Sequence, residues 1–242
     1  MPRPHQWDSP KNPPYTYYSY YLYASLYQLN CMRQARGMSM LSFRPHSGEA
    51  GDPTHLASSF MCAQSINHGI NLRKAPALEY MYVVPDSLTH SFVAPDSLVT
   101  AGSYYLTQIG LGMSPLSNNA LFLNISRNPF PTFFARGLNV TLSTDDPLQF
   151  HFSKEAIIEE YSVARSVWKL SSADLSEVAR NSVLQSGFEH DLKVAWLGHN
   201  YWKFDVTRND INRTNIPDCR EAFRMDNLRE ELAFIAEHCK RE

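Results

Sequence analysis

Short apolar runs alternate with helix-periodic segments along most of this chain. That alternation restricts it to an α/β fold built on a parallel sheet. Residues 38–43, 109–113 and 139–142 are too short and too apolar for amphipathic helices, and they read as strands buried on both faces. Before, between and after them, helical spacing covers residues 15–36, 55–66, 71–84, 130–136, 153–169, 173–187 and 220–239. The first of these stops at Gly37 after Arg33 and Arg36, basic residues in a last turn followed by glycine. In the third, Leu72, Ala75, Leu78 and Met81 or Tyr82 share a face. Residues 114–119, at the end of the second strand, read as a polar loop.

The sequence divides into three parts. Residues 1–14 carry five prolines and form an irregular opening segment; residues 15–190 hold the βα units; residues 191–242 form a helical tail. One stretch breaks the rhythm. Residues 83–105 contain the near-repeats Val84-Pro-Asp-Ser-Leu88 and Ala94-Pro-Asp-Ser-Leu98. Two units are too few for a repeat fold, and a loop this long is unusual in a compact domain. It reads as an insertion, either a surface loop or retained intron sequence.

Composition narrows the function classes. With 22 basic residues against 24 acidic and a net charge of −2, the chain lacks the basic excess that a sequence-independent grip on nucleic acid needs. Cys31, Cys62, Cys219 and Cys239 are far apart and form no C-x-x-C, so they read as reduced thiols. No apolar stretch is long enough for a transmembrane segment, and no signal-peptide core is visible, which makes a cytoplasmic location the expectation. The tyrosine-rich stretch at 15–27 fits a packed or interface helix face better than a base-stacking surface.

Reactive side chains gather where the strands end, the position at which barrel enzymes place their chemistry. Arg44-Pro-His-Ser-Gly-Glu-Ala-Gly51 sets His46 at a strand end with Glu49 three residues on. Histidine is the commonest metal ligand, and a carboxyl tuned upward moves protons. Ser65-Ile-Asn-His-Gly69 puts His68 before a glycine turn, where a histidine is either catalytic or a hydrogen-bonded core residue. Leu142-Ser-Thr-Asp-Asp-Pro-Leu-Gln149 ends an apolar strand with two adjacent carboxylates. Like charges there repel, a conflict a divalent cation relieves; the same Asp-Pro is also a helix N-cap arrangement. Together, His, His and Asp-Asp at three strand ends, with a Glu beside the first, are the equipment for attack by a metal-activated water.

HSGEAG, INHG, MSPLSNN and LSTDDPLQFHF resemble the adenosine/AMP deaminase group of metal-dependent hydrolases. NPPYTYYSYYLYASL, LRKAPALEYMY, EEYSVARSVWKLS, LSEVARNSVLQSGF and NDINRTNIPD narrow the resemblance to the AMP deaminases. The resemblance implies the C-terminal half of a (β/α)₈ barrel, about strands five to eight, with a C-terminal helical extension. It implies that zinc is held by His46 and Asp145. Glu49 would protonate the purine ring nitrogen, His68 would orient and deprotonate the attacking water, and Asp146 would hydrogen-bond the purine or the hydroxide. Pro147, Leu148 and Gln149 would help line the substrate site beside Glu49 and Asp146. The reaction implied is hydrolysis of AMP to IMP and ammonia, in a homo-oligomer. The cytidine-deaminase zinc pattern, H-x-E with P-C-x-x-C, is absent.

One departure qualifies that expectation. The family draws two further zinc ligands from an H-x-H, and no two of the nine histidines here are separated by a single residue. A catalytic zinc generally has three protein ligands or more. The chain is therefore expected to be one part of a longer enzyme, unstable and inactive when made alone. Two other readings follow from the same residues: a noncatalytic isoform that binds and modulates full-length subunits, and an adenosine deaminase, which shares the residues around the ring.

Overall fold

The computed structural model describes residues 12–80, 104–121 and 123–239. Its centre is a sheet of four parallel strands in sequence order: β1 (His46–Ser47), β2 (Ser65–His68), β3 (Gly110–Met113) and β4 (Val140–Leu142). The register pairs His46 with Asn67, Leu111 with Ile66, and Leu111 with Val140. Parallel neighbours in chain order, each reached through a helical crossover, are the unit from which a βα barrel is built. Every residue of β3 and β4 is buried, as the continuous apolar runs require.

Around the sheet lie α1 (Tyr15–Gln34), α2 (Thr54–Cys62), α3 (Pro76–Tyr80), α4 (Pro115–Leu121), α5 (Phe130–Ala135), α6 (Pro147–Phe150), α7 (Ala156–Trp168), α8 (Ser172–Gln185), α9 (His190–Leu197), α10 (Ile211–Thr214) and α11 (Asp218–Cys239). The core joins Leu111, Met113, Val140 and Leu142 of the sheet to Leu56 of α2 and Phe130, Phe133 and Phe134 of α5. Phe130 stacks on Trp168 at 5.0 Å, which ties α5 to α7. Ser171 and Asp174 form a reciprocal capping box that starts α8. No helix among the described residues is long and apolar enough to cross a membrane.

The structure corrects several expectations. Residues 38–41 are exposed and form no strand; regular pairing begins at His46. Their backbone is held by side chains instead: Asn30 brackets Leu41 through both amide atoms at 2.8 Å, and Arg33 donates to the Ser39 carbonyl. No strand lies beyond this edge among the described residues, so side chains of α1 take the backbone groups that a neighbour would have taken. The helix expected over 55–66 stops at Cys62, because residues 65–66 enter β2.

The helix expected over 71–84 is a 3₁₀ turn, Ile70–Lys74, followed by α3. Pro76 has no N–H to continue the first segment and disfavours helical geometry in the residue before it, and Ala75 is non-helical at φ −132°. Residues 81–84 lie outside the described residues. The polar loop expected at 114–119 is α4, with Pro115 at its first position, where a missing N–H costs nothing. Most of the 83–105 insertion also lies outside the described residues. Its last two residues, Tyr104 and Tyr105, are core, and the Tyr104 hydroxyl donates to the Leu56 carbonyl. In the tail, α9 and α10 have no counterpart among the helices expected from spacing.

Candidate metal and active site

The residues at the strand ends converge. His46, His68 and Asp145 each offer a ligand atom, and the three atoms lie within 4.8 Å of one another. They come from β1, β2 and the turn after β4. The sheet thus brings together positions 22 and 77 residues apart in sequence, counted from His68. The His46 and His68 rings meet edge to face at 4.8 Å.

Local backbone chemistry aims each group. After β1, Gly48 adopts φ +65°, and a Cβ there would sit 2.5 Å from the Leu56 side chain. Only glycine makes that turn, which swings Glu49 back toward β2. Asn71 clamps the same loop, its N–H reaching the Gly48 carbonyl at 2.7 Å and its amide the Gly51 carbonyl at 3.2 Å. Tyr15 of α1 stacks on His55 at 4.6 Å and donates its hydroxyl to the His46 carbonyl at 2.7 Å. His68 and Asp145 both hold left-handed backbone, φ 69° and φ 54°. Such conformations cost on the order of 1–3 kcal/mol each and recur at working sites.

The first turn of α4 ties the groups together. Ser117 donates to Asp145 Oδ2 at 2.6 Å. Asn118, fully buried, lies 3.4 Å from His68 Nδ1 and 3.5 Å from Glu49 Oε1. His68 Nε2 faces Glu49 Oε1 at 3.5 Å and has no hydrogen-bond partner among the described residues. A buried imidazole nitrogen without a partner, beside a second imidazole and a carboxylate, is a donor set that suits zinc. The arrangement fits a divalent cation.

Electrostatics separate the two groups expected to move protons. Burial pushes the His68 imidazole down to about 4, helped by the nearby His46 and opposed by Asp145, so it is neutral near pH 7. Burial raises the Glu49 carboxyl above its ordinary value, with His46 pulling it down and Asp145 pushing it up. A neutral imidazole therefore faces a carboxyl shifted toward holding a proton.

The sequence singled out His46, Glu49, His68 and Asp145, and the structure gathers all four. Asp146, Pro147, Leu148 and Gln149 stand exposed on the adjoining surface, with Leu148 fully so. Asp146 precedes α6, but its side chain makes no capping bond. Ser117 and Asn118 had no assigned role; the signal was present, since MSPLSNN was read as a strand-end motif, but the loop expected there is a helix that turns both side chains inward.

Comparison with known proteins gives three findings. The AMP deaminase family profile matches residues 1–241. The AMP deaminase of Dictyostelium discoideum is 56% identical over 97% of this chain, which corresponds to 27% of that protein's length. Human AMP deaminase 3 is 49% identical over 100% of the chain, or 29% of its own length. The chain thus spans less than a third of these relatives. Among solved structures, an adenine deaminase from Arthrobacter aurescens superposes with a TM-score of 0.50 at 19% identity, covering 75% of this chain and 46% of that one. That likeness bears on the fold alone.

Proposed function

This chain belongs to the AMP deaminase family, and from that premise we propose that it carries the proton-handling part of a site for hydrolysis of AMP to IMP and ammonia. The observation that carries the reading is the convergence of His46, His68 and Asp145, with Glu49 against His68. We read β1 to β4 as strands five to eight of a (β/α)₈ barrel, and the whole barrel as the catalytic unit.

In this reading His46 and Asp145 hold a zinc ion. Zinc would supply a Lewis acid that lowers the pKa of water far enough for hydroxide to be available near neutral pH. The chain's own residues do the rest. His68, neutral near pH 7 and with a buried Nε2 that has no partner among the described residues, accepts a proton from the attacking water. Glu49, shifted toward its protonated form, gives a proton to the ring nitrogen beside the reacting carbon. The amino group leaves as ammonia once it too has gained a proton. Asn118 keeps His68 and Glu49 in register, and Ser117 fixes the Asp145 carboxylate. Asp146 and Gln149 face solvent, where they would meet the purine, with Pro147 and Leu148 as apolar lining. The names of the relatives favour AMP over adenosine as substrate.

The test is a chimera in which this chain replaces the matching segment of the Dictyostelium discoideum AMP deaminase. IMP and ammonia are measured from AMP, with adenosine as the comparison substrate. An active chimera is expected, and Glu49→Ala, His68→Ala or Asp145→Ala should each lower its turnover by about a hundredfold or more. Substituted chimeras that retain turnover, or a preference for adenosine, would overturn the reading.

A further inference from the structure

Against the first turn of α4 lies a buried acid–imidazole contact that the mechanism does not use. His151 Nε2 meets Glu160 Oε1 at 3.1 Å, and both side chains are 0% exposed. The other oxygen of Glu160 accepts the Leu116 N–H at 3.3 Å. Three elements meet at this one carboxyl. Glu160 belongs to α7; His151 follows the end of α6 in the segment after β4; Leu116 is the second residue of α4, immediately before Ser117 and Asn118. Its neighbour Glu159 grips the same segment from outside, accepting the Phe152 N–H at 3.2 Å and the Ser153 N–H as well. The Asp145–Gln149 stretch is thus held at one end by β4 and Ser117, and at the other by His151.

We propose that His151 and Glu160 form a positioning pair that locks the Asp145–Gln149 segment against the first turn of α4 and so sets the distance between Asp145 and the two site histidines. Its bearing on the metal rests on the function proposed above. Neither residue touches the reacting atoms. A partner group that orients a ligand commonly changes metal affinity 10–100-fold. The pair has the geometry for this, because a hydrogen bond sealed from water on both sides has no solvent competitor.

The test uses the chain itself with two substitutions, His151→Leu, which removes the hydrogen bond, and His151→Gln, whose amide can donate from nearly the same place as Nε2. The first measurement is amide hydrogen exchange over residues 143–151 without metal; the second is a Co²⁺ titration followed by visible absorption. His151→Leu should speed exchange in that segment about tenfold and leave α8 and α11 unchanged. It should also weaken Co²⁺ binding by about 10–100-fold. His151→Gln should stay within about threefold of the unsubstituted chain in both. Unchanged exchange in His151→Leu, equal damage from Leu and Gln, or faster exchange throughout the chain would each overturn the proposal. The exchange comparison decides the pair by itself; the same Co²⁺ titration is run on the chimera, where the rest of the barrel supplies the remaining ligands, and a chimera that takes up no Co²⁺ would overturn the metal reading.

Discussion

On the β4 side of the sheet, α5, α7 and α8 pack on the strand, α11 is tied to α5 and α8, and their charges are paired. Glu221 of α11 is buried between Arg180 of α8 and Arg208. Glu177 takes both Arg220 and Arg224, and Arg224 also donates to the Phe134 carbonyl at 2.9 Å. Phe134 in turn lies under the Arg220 and Arg224 guanidinium groups at 5.4 and 5.1 Å. On the β1 side, α1 buries only Ser19. Tyr20, Tyr27 and Met40 remain more than half exposed at 58%, 62% and 64%. Both regions are rich in apolar residues, yet one is core and the other is surface. Apolar composition says that a segment needs cover; it does not supply the opposing layer.

That contrast can be broken by measurement. The largest effect belongs to the covered side. Phe130→Ala removes a fully buried ring stacked on Trp168 and should cost about 3–5 kcal/mol in urea unfolding, whereas Tyr20→Ala should stay within about 0.5 kcal/mol. Equal losses would mean that the two sides differ less than their exposure implies.

Next comes the ion network. Glu221→Ala strands two arginines and should cost about 3 kcal/mol, while Arg229→Ala, whose partner Asp226 is 3.9 Å away and exposed, should cost less than about 1 kcal/mol. Comparing unfolding midpoints of the two variants checks this. A Glu221→Ala loss no greater than that of Arg229→Ala would remove the network from the account.

A third prediction concerns pH. Burial raises the Glu160 carboxyl from 4.5 to about 8, against the opposing Leu116 hydrogen bond. The native state therefore holds a proton that the unfolded state has lost between those values. This contribution is fully present below pH 4.5 and fades as pH rises through about 8, with a limiting slope of about 1.4 kcal/mol per pH unit. Stability of the chain minus that of Glu160→Gln, followed from pH 5 to 9, should fall with pH. A flat difference would sink the assignment.

The smallest effect on stability sits on the bare side. Tyr20→Lys with Met40→Lys should change the unfolding free energy by less than about 1 kcal/mol. The same pair should reduce self-association in sedimentation velocity, because it interrupts an exposed apolar face. Unchanged sedimentation would show that this face drives no association.

Much of this was legible beforehand. β3 and β4 were readable because short apolar runs with nothing polar inside them have few alternatives, and α7, α8 and α11 because long helices carry many periods. The strand expected at 38–43 was not, because a strand also needs a neighbour, and Asn30 and Arg33 served this stretch instead. Nor was the break in the 71–84 helix, although Pro76 was in plain view: the periodic face of Leu72, Ala75 and Leu78 persisted across it. His46, Glu49, His68 and Asp145 could be named from residue type and position at strand ends. Ser117, Asn118, His151 and Glu160 could not, since their roles depend on which helix lies over which strand.

Sequence by itself determined the α/β class, the order of the βα units and the four candidate residues that the strand ends bring together, because period and strand-end position are local properties of the chain. Only the tertiary structure decided that His46, His68 and Asp145 meet within 4.8 Å, that α4 grips them, and that α1 stays bare. Those outcomes depend on the parallel register of distant segments and on which surfaces find a partner, and no local pattern encodes either.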